Sequence, residues 1–260
     1  MSAALVIAIG FLAGIFAGLF GIGGGIVIVP ALVLLAGFPL IKATGTSLAA
    51  IMLPVGILGV IAYYRARILD LRGAAFLASG LLMSVALGAW LAHALPAEVV
   101  RKLYAIFCLY VSWTFIQPLE KLKRFKGESP LPEPEPESNN GPHPHFLALI
   151  GIGLVAGVMA GMFGIGGGNI IVPFLVLFLK YPPKRAIATS LAALLPPIGL
   201  PGVIYYYKAG TLDVRIAVLL AAGLLLGTVF GARINIQMPT SRIKMLYGIF
   251  LIFVAARFLF

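Results

Sequence analysis

The sequence predicts an all-α polytopic membrane protein, built from two homologous and inverted repeats of about four to five helical segments each. Three observations lead to this class. Of the 260 residues, 61% are hydrophobic and only 10% are charged. The mean hydropathy is +1.08. A soluble domain carries about 25% charged residues, so lipid is the expected solvent for most of this chain. The apolar segments also recur at a fixed spacing.

The first element is the apolar run of residues 3–20, in which Gly10, Gly14 and Gly18 recur at every fourth position. Small residues at this spacing predict close helix packing in lipid. The glycine-rich pentad Gly21–Gly25 follows, and then a short apolar run that contains Pro30. Residues 3–36 exceed the roughly 20 residues of one crossing, so the helix is predicted to break at the pentad.

Two features of this first element stay open in the sequence. The two arms around the pentad either both cross the membrane or form a re-entrant hairpin. Residues 26–29 are β-branched, so they form either an extended piece before a helix that starts at Pro30 or part of a continuous helix with a proline kink.

The later elements follow from the same pattern. Two further spans are predicted at residues 73–95 and 103–117, and a third runs from about Thr44 to Tyr64 with an interruption at Pro54. Residues 118–145 are rich in Pro, Glu and Lys and have too little apolar surface to fold, so they predict a flexible, cytoplasmic linker. The predicted domains are therefore a first membrane repeat (1–117), the linker (118–145) and a second membrane repeat (146–260).

An internal duplication explains why the pattern restarts at Phe146. Gly21 and Gly164 are 143 positions apart, and the two halves align at this offset without a gap. Identical residues at matched positions include Gly18, Pro30, Thr46, Ser47, Tyr63, Asp70 and Gly88, which correspond to Gly161, Pro173, Thr189, Ser190, Tyr206, Asp213 and Gly231. Such dense matching is not a product of hydrophobicity alone, and duplication is common among transporters.

The distribution of Lys and Arg predicts opposite orientations for the two halves. In the first half, the bias favours the side of the loop that contains Arg65, Arg67 and Arg72, together with the linker. In the second half, the matched loop has only Lys208 and Arg215, and most basic residues fall on the other side. Basic loops face the cytoplasm, so the reversed bias favours inverted repeats over a parallel arrangement of four plus four spans.

Acidic residues are absent from every predicted span. Of the eight, five lie in the polar stretch around the linker, and Asp70, Glu98 and Asp213 fall in predicted loops. Cation carriers commonly place a carboxylate inside the membrane, so the pattern favours an anionic substrate. The single cysteine and three histidines form no set with metal-ligand or nucleophile–base spacing. The sequence thus predicts neither an enzyme nor a metal or cofactor site, and it predicts no nucleic-acid partner.

The repeated motif resembles a known family. The motif Phe-Gly-Ile-Gly-Gly-Gly-x-x-x-x-Pro, with a downstream Thr-Ser-Leu at residues 46–48 and 189–191, occurs twice in this small membrane chain. It is similar to the motif of the sulfite exporter TauE/SafE family. The resemblance covers nearly the whole chain except the linker. It implies a multi-pass transporter of the bacterial or archaeal inner (plasma) membrane, with a sulfur-containing oxyanion or an organosulfonate as substrate.

The candidate substrate site is a cradle of main-chain N–H groups at the two pentads. Glycine leaves these groups uncovered, and a helix that starts there presents its positive end. A tight turn with close packing is the alternative. The hydroxyls of the Thr-Ser pairs are further donors, or else N-caps of the following helices. Asn169 replaces Ile26 at the matched position and would donate from its amide or cap locally. The predicted substrate-binding residues are Gly21, Gly23, Gly24, Gly25, Thr46, Ser47, Gly164, Gly166, Gly167, Gly168, Asn169, Thr189 and Ser190.

Three cations and two prolines complete the set of candidates. Lys42 and Arg185 occupy matched positions before the Thr-Ser pairs, and Arg233 lies deep in a predicted span. Each would attract an anion or anchor the chain at the membrane surface. Pro54 and Pro197 break the second spans and are candidate hinges.

The expected function is therefore secondary transport of a small anion by alternating access around paired broken helices. An anion channel and a carrier for a small carboxylate are the alternatives. The expected partners are the anion and membrane lipid. The sequence does not identify the coupling ion.

Overall fold

The computed structural model describes residues 2–20, 23–52, 56–116, 146–237, 251–256 and 258. These residues form helices joined by turns, with no strand among them, which confirms the all-α class. The predicted linker, 118–145, lies outside the described residues. The helices are α1 (Ala3–Phe20), α2 (Gly25–Ala36), α3 (Leu40–Met52), α4 (Ile57–Arg65), α5 (Leu71–Ala94), α6 (Ala97–Ile116), α7 (Phe146–Phe163), α8 (Gly168–Leu177), α9 (Pro183–Ala193), α10 (Leu200–Lys208) and α11 (Val214–Gln237). Residues 251–256 are also helical.

Four of the described helices are long and apolar enough to cross a membrane: α1, α5, α7 and α11. The α3 and α4 axes differ by 47°, and this pair makes a fifth span if it is counted as one broken helix. Large apolar side chains face outward on these helices, and Met83 on α5 is 73% exposed. Lipid is the solvent that suits such a surface, so the chain is a multi-pass membrane protein.

The helix bounds repeat along the chain. The first residues of α1 and α7 are separated by the same offset as Gly21 and Gly164, and so are their last residues. The pair α5 and α11 shows this offset at both ends, as does the pair α4 and α10. The spacing found in the sequence therefore also relates the helices of the two halves.

The chain divides into two compact units. The larger comprises Met1–Ala97 and Pro144–Met238, and it holds α1–α5, α7–α11 and both glycine pentads. The smaller comprises Glu98–His143 and Pro239–Phe260. Within the smaller unit, the ring of Tyr104 on α6 lies 5.2 Å from the ring of Phe258. The candidate site belongs to the larger unit.

Small residues determine how the long helices pair. α1 packs along α11, where Gly10, Gly14 and Gly18 lie against the backbone of Leu220, Leu224 and Thr228 in turn. A side chain at any of these glycines would collide with the α11 backbone, so the predicted close packing is confirmed. α5 packs along α7 in the same way, with Gly80 and Gly88 against Ile150 and Val158. Each pair is parallel, and each joins one half of the chain to the other.

The matched helices α5 and α11 run in opposite directions. His93, near the end of α5, has its Nε2 3.0 Å from the hydroxyl oxygen of Thr211, which comes just before α11. The C-terminal end of α5 thus lies at the N-terminal end of α11. Asp70 at the start of α5 is a helix length away, or about 36 Å for 24 residues. This direction supports the inverted arrangement.

Candidate substrate site at the glycine crossing

Both pentads break a helix. α1 ends at Phe20 and α2 begins at Gly25, and α7 ends at Phe163 and α8 begins at Gly168. Gly23 and Gly24 have φ of 78° and 81°, and Gly166 and Gly167 have φ of 79° and 82°. Side chains disfavour this left-handed region, so glycine is required where the chain turns. Gly21 lies outside the described residues.

The two breaks lie directly against each other. A Cβ built on Gly25 would collide with the carbonyl oxygen of Gly164, and one on Gly23 would lie 3.6 Å from the Cα of Gly166. The residue numbers rise in one segment as they fall in the other, so the segments are antiparallel and pack backbone to backbone. We call this contact between residues 23–25 and 164–168 the glycine crossing.

Two helix N-termini meet the glycine crossing. In α2 the amides of Val27 and Ile28 bond to the Gly24 carbonyl, and in α8 those of Ile170 and Ile171 bond to the Gly167 carbonyl. The N-cap residues Gly24 and Gly167 have no side chain that could accept a hydrogen bond from the first N–H groups of these helices. α2 runs unbroken through Pro30, so the extended alternative for residues 26–29 is wrong and the helix with an internal proline is correct. Each N-terminus contributes a partial positive charge of about +0.5.

Asn169, the second residue of α8, is the most unusual polar group at the glycine crossing. Its side chain is 0% exposed. Neither its amide nitrogen nor its amide oxygen has a hydrogen-bond partner among the described residues. A buried polar group left unpaired lowers the stability of a protein by about 1–3 kcal/mol, so this amide destabilises the fold. The matched residue, Ile26, is apolar and equally buried.

Thr44 is a second buried polar residue that sequence reasoning missed. Its backbone lies against Gly164, where a Cβ would be 2.5 Å from the Thr44 carbonyl oxygen. Its hydroxyl oxygen is buried and finds no partner in the part of the chain that the structure describes. The matched residue is Ile187. This polar-for-apolar difference between the halves is the same signal that identified Asn169, so the alignment could have revealed it.

The Thr-Ser pairs do not cap the helices that contain them. α3 begins at Leu40 and α9 at Pro183, so the pairs lie inside these helices. They serve the opposite half instead: the Thr46 hydroxyl accepts from the backbone N–H of Asp213 at 3.1 Å, and that of Thr189 accepts from Asp70 at 3.3 Å. Ser47 donates to the Gly164 carbonyl at 2.7 Å. Ser190 is fully buried. All three hydrogen bonds join the two halves, and the Ser47–Gly164 bond does so at the glycine crossing.

Two ion pairs between the halves hold the matched cations Lys42 and Arg185. Lys42 Nζ lies 3.6 Å from Asp213 Oδ2, and Arg185 Nη2 lies 3.3 Å from Asp70 Oδ2. Tyr181 also donates its hydroxyl to Asp70 Oδ2 at 2.7 Å. Since Asp213 and Asp70 begin the antiparallel helices α11 and α5, the pairs lie at opposite ends of the larger unit. Both cations are therefore engaged by carboxylates.

Asp70 has a perturbed acidity. Burial alone would raise the pKa of its carboxyl. Hydrogen bonds from the Gly73 amide and the Tyr181 hydroxyl, together with the Arg185 charge, outweigh burial, so the net pKa is below the usual value. Burial, and then the adjacent carboxylate, raise the pKa of Tyr181. Asp70 is thus ionised, and Tyr181 is protonated, at neutral pH.

Two of the remaining candidates, Arg233 and Pro197, are exposed. Arg233 is exposed near the end of α11, where it can reach the membrane surface. Pro197 is exposed in the turn between α9 and α10. Pro54 lies outside the described residues.

Most of the glycine crossing is tightly packed, but one residue borders a cleft. A Cβ on Gly24 would meet Leu224 Cδ2 at 2.8 Å, and one on Gly167 would meet Leu81 Cδ2 at 2.9 Å. Gly166 instead borders a small cleft of about 20 Å³. Its other lining residues are apolar or glycine: Leu48, Ile51, Met52, Leu81, Val85, Ala160, Leu194, Ile198 and Gly199.

Comparison with known proteins identifies the family. The family model described as "Sulfite exporter TauE/SafE" matches residues 6–258. The chain belongs to the sulfite exporter TauE/SafE family. The resemblance seen in the repeated motif is therefore confirmed across nearly the whole sequence.

Curated relatives of this family member carry transporter names. The chain is 27% identical to "Probable membrane transporter protein YunE" of Bacillus subtilis, over 100% of this chain and 98% of the relative. It is 27% identical to "Probable membrane transporter protein MJ0441" of Methanocaldococcus jannaschii, over 93% and 90%. A Haemophilus influenzae "Probable membrane transporter protein" is 28% identical, over 96% of each chain. No solved structure matches the chain. Membership of the family makes this protein a membrane transporter.

Proposed function

We propose that the protein is a secondary transporter of the inner membrane that carries a small anion, either a sulfur-containing oxyanion or an organosulfonate. The single observation that supports this most directly is the buried, unpartnered amide of Asn169 in the first turn of α8. It lies where a helix dipole and free backbone N–H groups favour negative charge. A bound oxyanion would satisfy all of these donors together.

The charge pattern of the surrounding helices supports an anion rather than a cation. α1, α2, α7 and α8 contain no Asp, Glu, Lys or Arg. A cation there would lack a carboxylate partner, whereas an anion would meet the N-termini of α2 and α8. Electrostatic attraction would come from the main chain alone.

The ion pairs at the two ends support alternating access. The Lys42–Asp213 ion pair joins the halves at one end of the larger unit, and the Arg185–Asp70 ion pair joins them at the other. The antiparallel, matched halves would allow one pair to separate while the other holds. We propose that the two ion pairs act as gates and that the glycine crossing lies between them, as binding sites do in transporters with inverted repeats.

The test is transport by purified protein in liposomes, preceded by a thermal-shift screen against sulfite, thiosulfate, sulfonates, sulfate and small carboxylates. We expect a sulfur oxyanion or a sulfonate to raise the melting temperature and to be taken up with saturation and counterflow. Asn169→Ile, which installs the residue of the matched position, should weaken both effects. Wild-type uptake by this variant would overturn the proposed site. Single-channel currents would show a channel instead, and stabilisation by carboxylates alone would change the substrate class.

A further inference from the structure

We propose that the site at Asn169 selects an anion that carries a single negative charge and also a hydrogen-bond donor, such as a monoprotonated oxyanion or a hydroxysulfonate. The inference rests on the proposed function and specifies the chemical form of its substrate. The inference depends on the two unpaired atoms of the Asn169 amide and on the partial positive charge of the helix N-termini at the glycine crossing.

The amide of Asn169 has opposite requirements at its two ends. Its nitrogen donates and its oxygen accepts, and both atoms are buried without a partner in the described chain. An oxyanion with no hydrogen would satisfy the nitrogen but would leave the amide oxygen unpaired, facing negative charge. A ligand with both an anionic oxygen and an O–H group satisfies the whole amide.

The available positive charge limits the ligand to about one negative charge. The helices of the glycine crossing contain no basic residue. The cations Lys42 and Arg185 are paired with Asp213 and Asp70 at the two ends of the larger unit. What remains is the N-termini of α2 and α8, at about +0.5 each. Their sum balances a monoanion, whereas a dianion would keep an uncompensated charge in a low-dielectric site.

The matched position in the other half, Ile26, does not provide a second polar side chain at the site. Ile26, the second residue of α2, is also 0% exposed but has no polar atom in its side chain. The donor-and-acceptor requirement therefore belongs to α8 alone, and Asn169→Ile converts it into the environment that α2 already has.

The decisive experiment compares two sulfonates of the same charge. Dissociation constants of methanesulfonate and hydroxymethanesulfonate are measured by calorimetry on purified full-length protein, with sulfite binding followed from pH 6 to pH 8.5. We expect hydroxymethanesulfonate to bind about tenfold more tightly than methanesulfonate. We also expect sulfite to bind more weakly as rising pH removes its proton. In Asn169→Ile, the ratio between the two sulfonates should fall to about one.

The control is Thr228→Val, which removes a different buried hydroxyl, one already bonded to the Leu224 carbonyl. This variant should keep the wild-type ratio. Monodisperse elution and a cooperative melting transition establish that each variant is folded. A wild-type ratio within a factor of two would overturn the donor requirement while leaving an anion site in place. Absence of any anion binding or uptake would overturn the proposed function as well.

Discussion

The hydroxyl of Ser47 on α3 donates a 2.7 Å hydrogen bond to the carbonyl oxygen of Gly164, which belongs to the other half of the chain. Both groups are buried, and Gly164 also lies against Gly25 and Thr44. One hydroxyl thus connects α3 of the first half to the glycine break of the second half.

Removal of this hydroxyl should weaken the contact between the halves. Ser47→Ala leaves the buried carbonyl of Gly164 without its donor, so we expect a loss of about 1–3 kcal/mol of stability. The measurement is thermal unfolding of purified protein in detergent. Ser79→Ala is the matched control, because Ser79 donates to Phe76 within its own helix at an exposed site. An equal loss in both variants would contradict the special role of Ser47.

The helix pairing should depend on glycine at contact positions only. A Cβ on Gly88 would collide with the carbonyl oxygen of Val158, so Gly88→Ala should separate α5 from α7 and prevent folding. Gly151 on α7 has nothing within 4 Å of a built Cβ, and alanine there should be neutral or stabilising by up to about 1 kcal/mol. Fluorescence-detected size-exclusion chromatography shows whether the Gly88→Ala and Gly151→Ala variants are folded. Normal folding of Gly88→Ala would show that the contact is loose.

The Asp70–Arg185 pair should act as an independent unit at its end of the fold. In a double-mutant cycle with Asp70→Asn and Arg185→Gln, we expect a coupling of at least about 0.5 kcal/mol in stability. The control cycle pairs Asp70→Asn with Lys42→Gln, which belongs to the opposite end and should be additive. Tyr181→Phe gives position 181 the side chain of the matched Phe38, so it tests the tyrosine hydroxyl alone. Coupling of equal size in the control cycle would argue against two separate gates.

Acid should destabilise the protein partly through Asp70. Its pKa is lowered in the folded state, so its stabilising contribution is present above the unfolded value of about 3.9 and is lost as the pH falls through the folded value. We expect the melting temperature of the wild type to fall between pH 5 and pH 3 more steeply than that of Asp70→Asn. Parallel curves for the two proteins would exclude this carboxyl as a source of acid sensitivity.

Asn169 should reveal its role through stability as well as transport. Because its amide is buried and unpaired, Asn169→Ile should leave the ligand-free protein as stable as the wild type, or more stable. A purely structural polar residue would show the reverse. The measurement is the melting temperature without added anion. A drop of several degrees would mean that the amide stabilises the fold.

Local sequence signals anticipated the helices and the breaks between them. The spacing of Gly10, Gly14 and Gly18 identified a packing face, and the pentads marked the places where the chain turns, because glycine adopts the positive φ values found there far more readily than other residues. The alignment of the two halves identified Asn169 by its difference from Ile26. These features depend on neighbouring residues or on direct comparison of the halves.

Local sequence signals do not predict the contacts between the two halves. Thr46 accepts from the backbone N–H of Asp213, and nothing in the sequence around either residue indicates the other. The sequence predicts Lys42 and Arg185 as candidate attractors for an anion, but carboxylates of the opposite half form ion pairs with them. Which groups meet across a fold is decided by tertiary packing, and periodicity along the chain does not report it.

The parallel pairing of α1 with α11 has a consequence for how the protein is made. The ribosome completes α11 long after α1, because all the other described helices of the larger unit lie between them in the chain. α1 must therefore enter the bilayer and remain there unpaired with α11 until α11 is synthesised. During that interval the stripe of Gly10, Gly14 and Gly18 faces lipid or an insertion factor. This contact between the halves forms only after α11 has been synthesised, so a truncated first half is expected to be a substrate for membrane proteases.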